Sequence, residues 1–159
     1  MKLSETGLAF IKKFEACKLK AYPDPKTGGA PWTVGWGATG VGVGPGTEWT
    51  QQQADARLTE DVSLRETLVN NAVTVPLTQG QFDAMVSIVF NVGQGSPTRD
   101  GIIRLKSGLP STLLRKLNAG DYDGCADAFL SWVSPGSTVE RGLTIRRKAE
   151  RAMFEGEAA

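Results

Sequence analysis

The chain has 159 residues, 40% of them hydrophobic and 22% charged, with a formal net charge of +1. That length supports one domain with its own hydrophobic core, and the near-neutral balance excludes a broad electrostatic hold on nucleic acid or an anionic membrane surface. There is no histidine, which excludes Ser-His and Cys-His nucleophile mechanisms and leaves a zinc site only thiols and carboxylates as ligands.

No metal site and no cofactor are therefore expected. Cys17 and Cys125 lack metal-type spacing, and with no histidine to act as a base both are read as inert thiols. Acid–base chemistry falls to carboxylates. The segment from Met1 to Phe14 carries Glu5, Lys12 and Lys13 in place of the continuous apolar run of a signal peptide. No stretch reaches the roughly 18–20 apolar residues of a membrane span. The expectation is a chain made and kept in a cytoplasm, with both thiols reduced.

In chain order, Ser4 predicts the N-cap of a helix carrying Leu8, Ile11 and Phe14 that fades between Cys17 and Lys20. Residues 21–46 change character, with Pro23, Pro25 and Pro31 set among dense glycines. They predict a short strand over Trp32–Trp36 and turns at Thr27-Gly28-Gly29 and from Gly40 to Gly46. Period-two alternation puts Trp32 and Trp36 on one face of that strand. Two capping boxes follow, Thr50 with Gln53 and Thr78 with Gln81. The first opens a helix to about Asn70, and the second a helix carrying Phe82, Met85, Val86 and Val89. Further helices fit Ser111–Asn118, Asp121–Trp132 (with Phe129 and Trp132 in the core) and Glu140–Phe154, on which Arg146 and Arg147 are expected to form surface salt bridges. The sum is an α+β fold in a single domain, mostly helical, with a small antiparallel β region near the N-terminus. Its β-containing lobe covers about 18–60, and its helical lobe covers about 61–159 together with the N-terminal helix 4–17. A substrate site is expected in the cleft between the lobes.

Two carboxylates stand out. At about 100° per residue, Glu15 falls about 20° from Leu8 and between Leu8 and Ile11, on the apolar stripe of the first helix. Burial disfavours its anion, and so does the partial negative charge of the helix C-terminus. Both effects favour the protonated form that a general acid requires. Asp24 follows in Tyr22-Pro23-Asp24-Pro25, where flanking prolines restrict the backbone of a polar loop. It is the natural ionised partner, and Thr33 supplies a hydroxyl for a water or for the Asp24 carboxylate. Two carboxyl groups in opposite protonation states are the working parts of a glycosidase. Plainer readings also exist: a solvated glutamate at a helix end, an aspartate in turn chemistry, and a threonine with β propensity.

Phe14-Glu15, Ala21-Tyr22-x-Asp24 and Trp32-Thr33-Val34-Gly35-Trp36-Gly37 resemble the active-site stretch of the phage-type lysozymes, glycoside hydrolase family 24. The likeness continues through Leu77-Thr78-x-x-Gln81-Phe82-Asp83-Ala84, Phe90-Asn91-Val92-Gly93, the segment Ser111 to Tyr122, and Arg141-Gly142-Leu143-x-x-Arg146-Arg147-x-x-Glu150. What the resemblance implies is a two-lobed lysozyme fold, monomeric, that hydrolyses the β-1,4 bond between N-acetylmuramic acid and N-acetylglucosamine in peptidoglycan. By the same resemblance Glu15 is the proton donor, and Asp24 and Thr33 position the attacking water of an inverting reaction. Arg141 pairs with Glu15, and Phe90, Asn91, Ser111 and Thr112 line the saccharide cleft. Unaided, Phe90 reads as core and Ser111 as an N-cap. Lacking a signal or anchor, an endolysin of this kind implies a holin for export, and delivery within a virion is the other route. A lytic transglycosylase and a non-catalytic peptidoglycan-binding scaffold are the alternatives on the same fold. The sequence departs from the family pattern in a longer stretch between Asp24 and Thr33, at Lys26 to Pro31, and in Ala38, where the family has histidine.

Overall fold

The elements of the computed structural model, which describes residues 1–157, follow in chain order. They are α1 (Glu5–Glu15), β1 (Lys18–Tyr22), β2 (Thr33–Gly35), α2 (Gln51–Ala72), α3 (Gln79–Val92), α4 (Thr112–Asn118), α5 (Tyr122–Ala128), a 3-10 turn (Phe129–Ser131) and α6 (Glu140–Phe154). The expected α+β class is met. Ser4 Oγ accepts the Gly7 N–H at 3.0 Å and starts α1. Thr50 and Gln53 exchange bonds of 2.8 and 3.1 Å at the head of α2, and Thr78 and Gln81 form the same reciprocal box at α3.

By contacts the described chain divides into two compact units, residues 8–63 and residues 1–7 with those from Leu64 onward. The expectation gave the N-terminal helix to the helical lobe. The contacts instead place Leu8 onward with the β region.

In the first unit, Phe10 and Ile11 of α1, Val34 of β2, Ala38, and Ala54, Leu58 and Val62 of α2 are buried. The α2 positions recur every fourth residue, so one stripe of the helix is apolar. α1 stops at Glu15, and Ala16 turns into the left-handed region at φ +49°. No slow fade follows. Lys18–Tyr22 form a strand that the sequence did not reveal, because its partners lie far along the chain. β2 pairs with it antiparallel, with Tyr22 opposite Thr33 and Lys18 opposite Gly35. On the other edge the Ala21 N–H reaches Thr47 O and the Trp49 N–H reaches Leu19 O, each at 2.8 Å. Such pairing overrides local preference. β2 also ends sooner than expected. Gly35 and Gly37 adopt φ +65° and +85°, and Val34 and Ala38 exchange two backbone bonds of 2.9 Å across the turn. Trp36 therefore rides on a turn and does not share a strand face with Trp32.

In the second unit α3 is buried without a break from Phe82 to Val89, and α6 packs against it. Ile102, Leu113, Leu117, Phe129 and Phe154 complete this core. The expected helix 121–132 becomes α5 and the 3-10 turn. Trp132 lies just past it, half-buried rather than in the core.

Arg146 and Arg147 are not surface residues, as expected from their charge, but are 4% and 0% exposed. They share the face of α6 that also buries Met153 and Phe154. Arg146 Nε lies 3.1 Å from Glu150 Oε1, and Arg147 pairs with Glu150 Oε2. Ser87 of α3 donates to the same carboxylate at 2.7 Å, while Arg147 also donates to Trp132 O at 2.9 Å and to Asn91. A buried charge is tolerated when it is paired, and both guanidiniums here share the Glu150 carboxylate.

Candidate active site

Glu15 is the last residue of α1, and its side chain is half-buried. Its carboxyl rests on the Gly37 backbone: a β-carbon at Gly37 would lie 2.8 Å from Glu15 Oε2. Only a residue without a side chain, at a φ that glycine favours, provides this seat. The Thr-Val-Gly-Trp-Gly run thus has a physical reason. Gly35 turns the chain beneath Trp49, and Gly37 makes room for the carboxylate.

Asp24 lies two residues past the end of β1. Its Oδ1 accepts the Lys26 N–H at 2.8 Å, its own N–H donates to Gly29 O at 2.9 Å, and its carbonyl accepts the N–H of Gly28 at 2.8 Å. The loop is closed on itself, and the carboxylate is half-exposed and held in one orientation. Thr33 opens β2 opposite Tyr22, so the strand register brings Thr33 and the start of the Asp24 loop to the same end of the hairpin. Glu15, Asp24 and Thr33 all belong to the unit 8–63.

One cluster here escapes sequence reasoning. Trp36 Nε1 donates to Asp55 Oδ1 at 2.8 Å, and Gln51 Nε2 donates to the same oxygen at 3.0 Å. These two bonds hold the Asp55 carboxyl below the ordinary carboxylate range, with a smaller contribution from Lys12. The Lys12 ammonium lies 5.3 Å from the centroid of the Trp36 ring. Nothing in the sequence links Asp55 to Trp36, which lies 19 positions away.

The other sequence-derived residues lie in the second unit. Phe90 is half-buried, with the Arg65 guanidinium 5.5 Å from its ring centroid. Asn91 accepts from Arg147 and lines a cavity of about 480 Å³ with Arg99, Asp100, Trp132 and Leu143. Thr112 is exposed. Ser111 is 0% exposed, and its hydroxyl caps α4 by accepting the Leu114 N–H at 3.2 Å. The structure thus gives Ser111 a capping role, and the residue has no surface to offer a saccharide. Arg141 is exposed in the first turn of α6. Both cysteines are free, and burial pushes the Cys125 thiol up to about 12. Among the described residues no cluster of three or more histidines, cysteines or carboxylates is placed to hold a metal ion, and no helix is long and apolar enough to cross a membrane.

Comparison with known proteins places this geometry. The phage lysozyme family profile matches residues 12–150. The chain belongs to the phage lysozyme family. It is 42% identical to an endolysin of Acyrthosiphon pisum secondary endosymbiont phage 1, over 98% of this chain and 99% of that protein. It superposes on the muramidase domain of SpmX from Asticaccaulis excentricus with a TM-score of 0.77 at 33% identity, covering 96% of this chain and 97% of the other. A variant of P22 lysozyme aligns with a TM-score of 0.73 at 35% identity, covering 98% and 99%. A phage lysozyme is a lysozyme-type hydrolase, which agrees with the carboxylate chemistry expected from the residues.

Proposed function

We propose that this phage lysozyme is an inverting muramidase that cleaves the β-1,4 bond between N-acetylmuramic acid and N-acetylglucosamine, with Glu15 as general acid, Asp24 as general base and Thr33 orienting the attacking water. The observation that carries this reading is the difference between two carboxyl environments in one unit. Glu15 is seated against Gly37 at the end of an apolar-faced helix, whereas Asp24 is fixed in a polar turn by a backbone N–H. In the reaction, Glu15 gives its proton to the glycosidic oxygen as the C1–O bond breaks. The water oxygen bonds to C1 from the opposite face and loses its proton to Asp24. The product is a reducing muramic acid end of inverted configuration. An aromatic ring and neighbouring polar groups suit sugar faces and hydroxyls, which supports Phe90, Asn91 and Thr112 as saccharide contacts. Arg141 is assigned to the Glu15 carboxylate on the family resemblance. The enzyme acts as a monomer, held in the host cytoplasm until a holin opens the route to the cell wall.

The test is mass analysis of soluble products from purified sacculi. Reducing muropeptides are expected from the parent protein, and Glu15→Gln should lower the rate by about 10²–10⁴-fold. Anhydro-muramyl ends would replace this reading with a transglycosylase, and no release at all would replace it with a binding scaffold.

A further inference from the structure

The Trp36–Asp55 hydrogen bond has no part in the chemistry as written, yet it is made from the turn on which Glu15 rests. Three constraints converge on residues 34–38. Beneath the turn, Val34 and Ala38 close it with two backbone bonds of 2.9 Å. Beside it, the Trp36 ring lies against Lys12, one helical turn before Glu15 on α1. From α2, Asp55 takes the indole N–H at 2.8 Å. Gly37, the next residue, meets the Glu15 carboxyl. A glycine-flanked turn with φ of +65° and +85° has little steric restraint of its own. Its orientation therefore depends on the side chain it carries.

We propose that Asp55 is a positioning residue for the general acid: by anchoring Trp36 it fixes the Gly37 backbone against the Glu15 carboxyl. Gln51 serves the same end by donating to the anchoring oxygen at 3.0 Å. Asp55 is a carboxylate at neutral pH, as an ordinary aspartate is, and so a stronger acceptor than a neutral amide. The inference rests on Glu15 being the acid.

The experiment measures kcat and KM on soluble peptidoglycan oligosaccharides for Trp36→Phe, Asp55→Ala, the double variant, Asp55→Asn and Glu15→Gln. Assays run well below the melting temperature of each variant, which is measured in parallel. Trp36→Phe keeps an aromatic ring and deletes the N–H donor, so it tests the bond in a folded chain. A displacement of a few tenths of an ångström at the acid should lower kcat by roughly tenfold in each single variant. KM should stay within about twofold, because the substrate contacts are untouched. The double variant should be no slower than the worse single one, since both remove the same bond. Asp55→Asn keeps an acceptor oxygen and should recover most of the lost kcat.

Parental kcat in Trp36→Phe and Asp55→Ala alongside an inactive Glu15→Gln would overturn the positioning role and leave the acid assignment standing. Losses that multiply in the double variant would overturn it too, as would a loss confined to KM. An active Glu15→Gln would instead remove the acid assignment itself.

Discussion

Replacing Gly37 with alanine separates two costs that usually arrive together. At φ +85° an alanine is strained by roughly 1–2 kcal/mol, since its β-carbon crowds the following carbonyl. The same substitution at Gly40, at φ +97°, carries a similar strain, but nothing lies within 4 Å of its β-carbon. For a chain of this length each kcal/mol moves the melting temperature by about 2–4 °C. Both variants should therefore melt lower by roughly 2–8 °C. They should part company in activity. At Gly37 the new carbon would meet Glu15 Oε2 at 2.8 Å, against an ordinary contact of 3.4 Å or more. The contact falls on the far end of the Glu15 side chain, which gives way more readily than the Gly37 backbone. A shift of about half an ångström at a general acid should cost roughly ten- to a hundred-fold in kcat. Gly40→Ala should keep parental kcat on the soluble oligosaccharide. Equal kcat in the two variants, each shown folded by its melting transition, would mean that the Gly37 seat does not hold the acid.

Glu150→Gln removes the carboxylate shared by two buried guanidiniums and should cost about 3–5 kcal/mol by urea unfolding. A change below about 1 kcal/mol would show that the other partners of Arg146 and Arg147 suffice. At pH 8 the Cys125 thiol, with its pKa pushed up to about 12, is ionised to roughly one part in 10⁴, so a thiol reagent should modify Cys17 alone in the native protein and both cysteines in urea. Two equally fast native thiols would contradict that burial. Because folding raises this thiol above its ordinary 9.0, its contribution to stability is complete below pH 9 and is lost as pH climbs toward 12.

What the sequence revealed and what it hid follow one physical division. The starts of α1, α2 and α3 were legible because each cap is a contract between residues three apart, Ser4 with Gly7, Thr50 with Gln53 and Thr78 with Gln81. β1 was not, because Lys18–Tyr22 are only five mostly exposed residues whose brief alternation is too short to stand out, and they owe their strand to Thr33, Thr47 and Trp49. Polarity misled at Arg146 and Arg147. Two arginines on a helix normally face water, and only the spacing to Glu150, with Ser87 and Asn91 arriving from α3, turns them inward. Ser111 offered two readings, and the local one, capping, is the role the structure gives it. At the candidate site the proposed reacting groups, Glu15, Asp24 and Thr33, were legible as a motif. The supports of Glu15 were not, since neither the Gly37 contact nor the Asp55 anchor leaves a periodic trace.

The longer stretch between Asp24 and Thr33 is the departure from the family pattern that bears most directly on mechanism, and the structure shows how it is absorbed. A loop inserted between Asp24 and Thr33 disturbs them only if its ends are free to move. Here one end is fixed by the pairing of Tyr22 with Thr33. The other is fixed within the loop, where Asp24 bonds Gly29, Gly28 and Lys26. Thr27 adds a bond of 3.1 Å to Ala30 O and accepts the Gly29 N–H at 3.2 Å. The added residues thus project from a base that is already closed, and loop length enters the free energy only logarithmically. Asp24 gains rather than loses from the insertion, because Lys26, a residue of the longer segment, supplies the N–H that orients its carboxylate. The extra loop works as a clamp on the Asp24 carboxylate, and Thr33 keeps its place through the strand register.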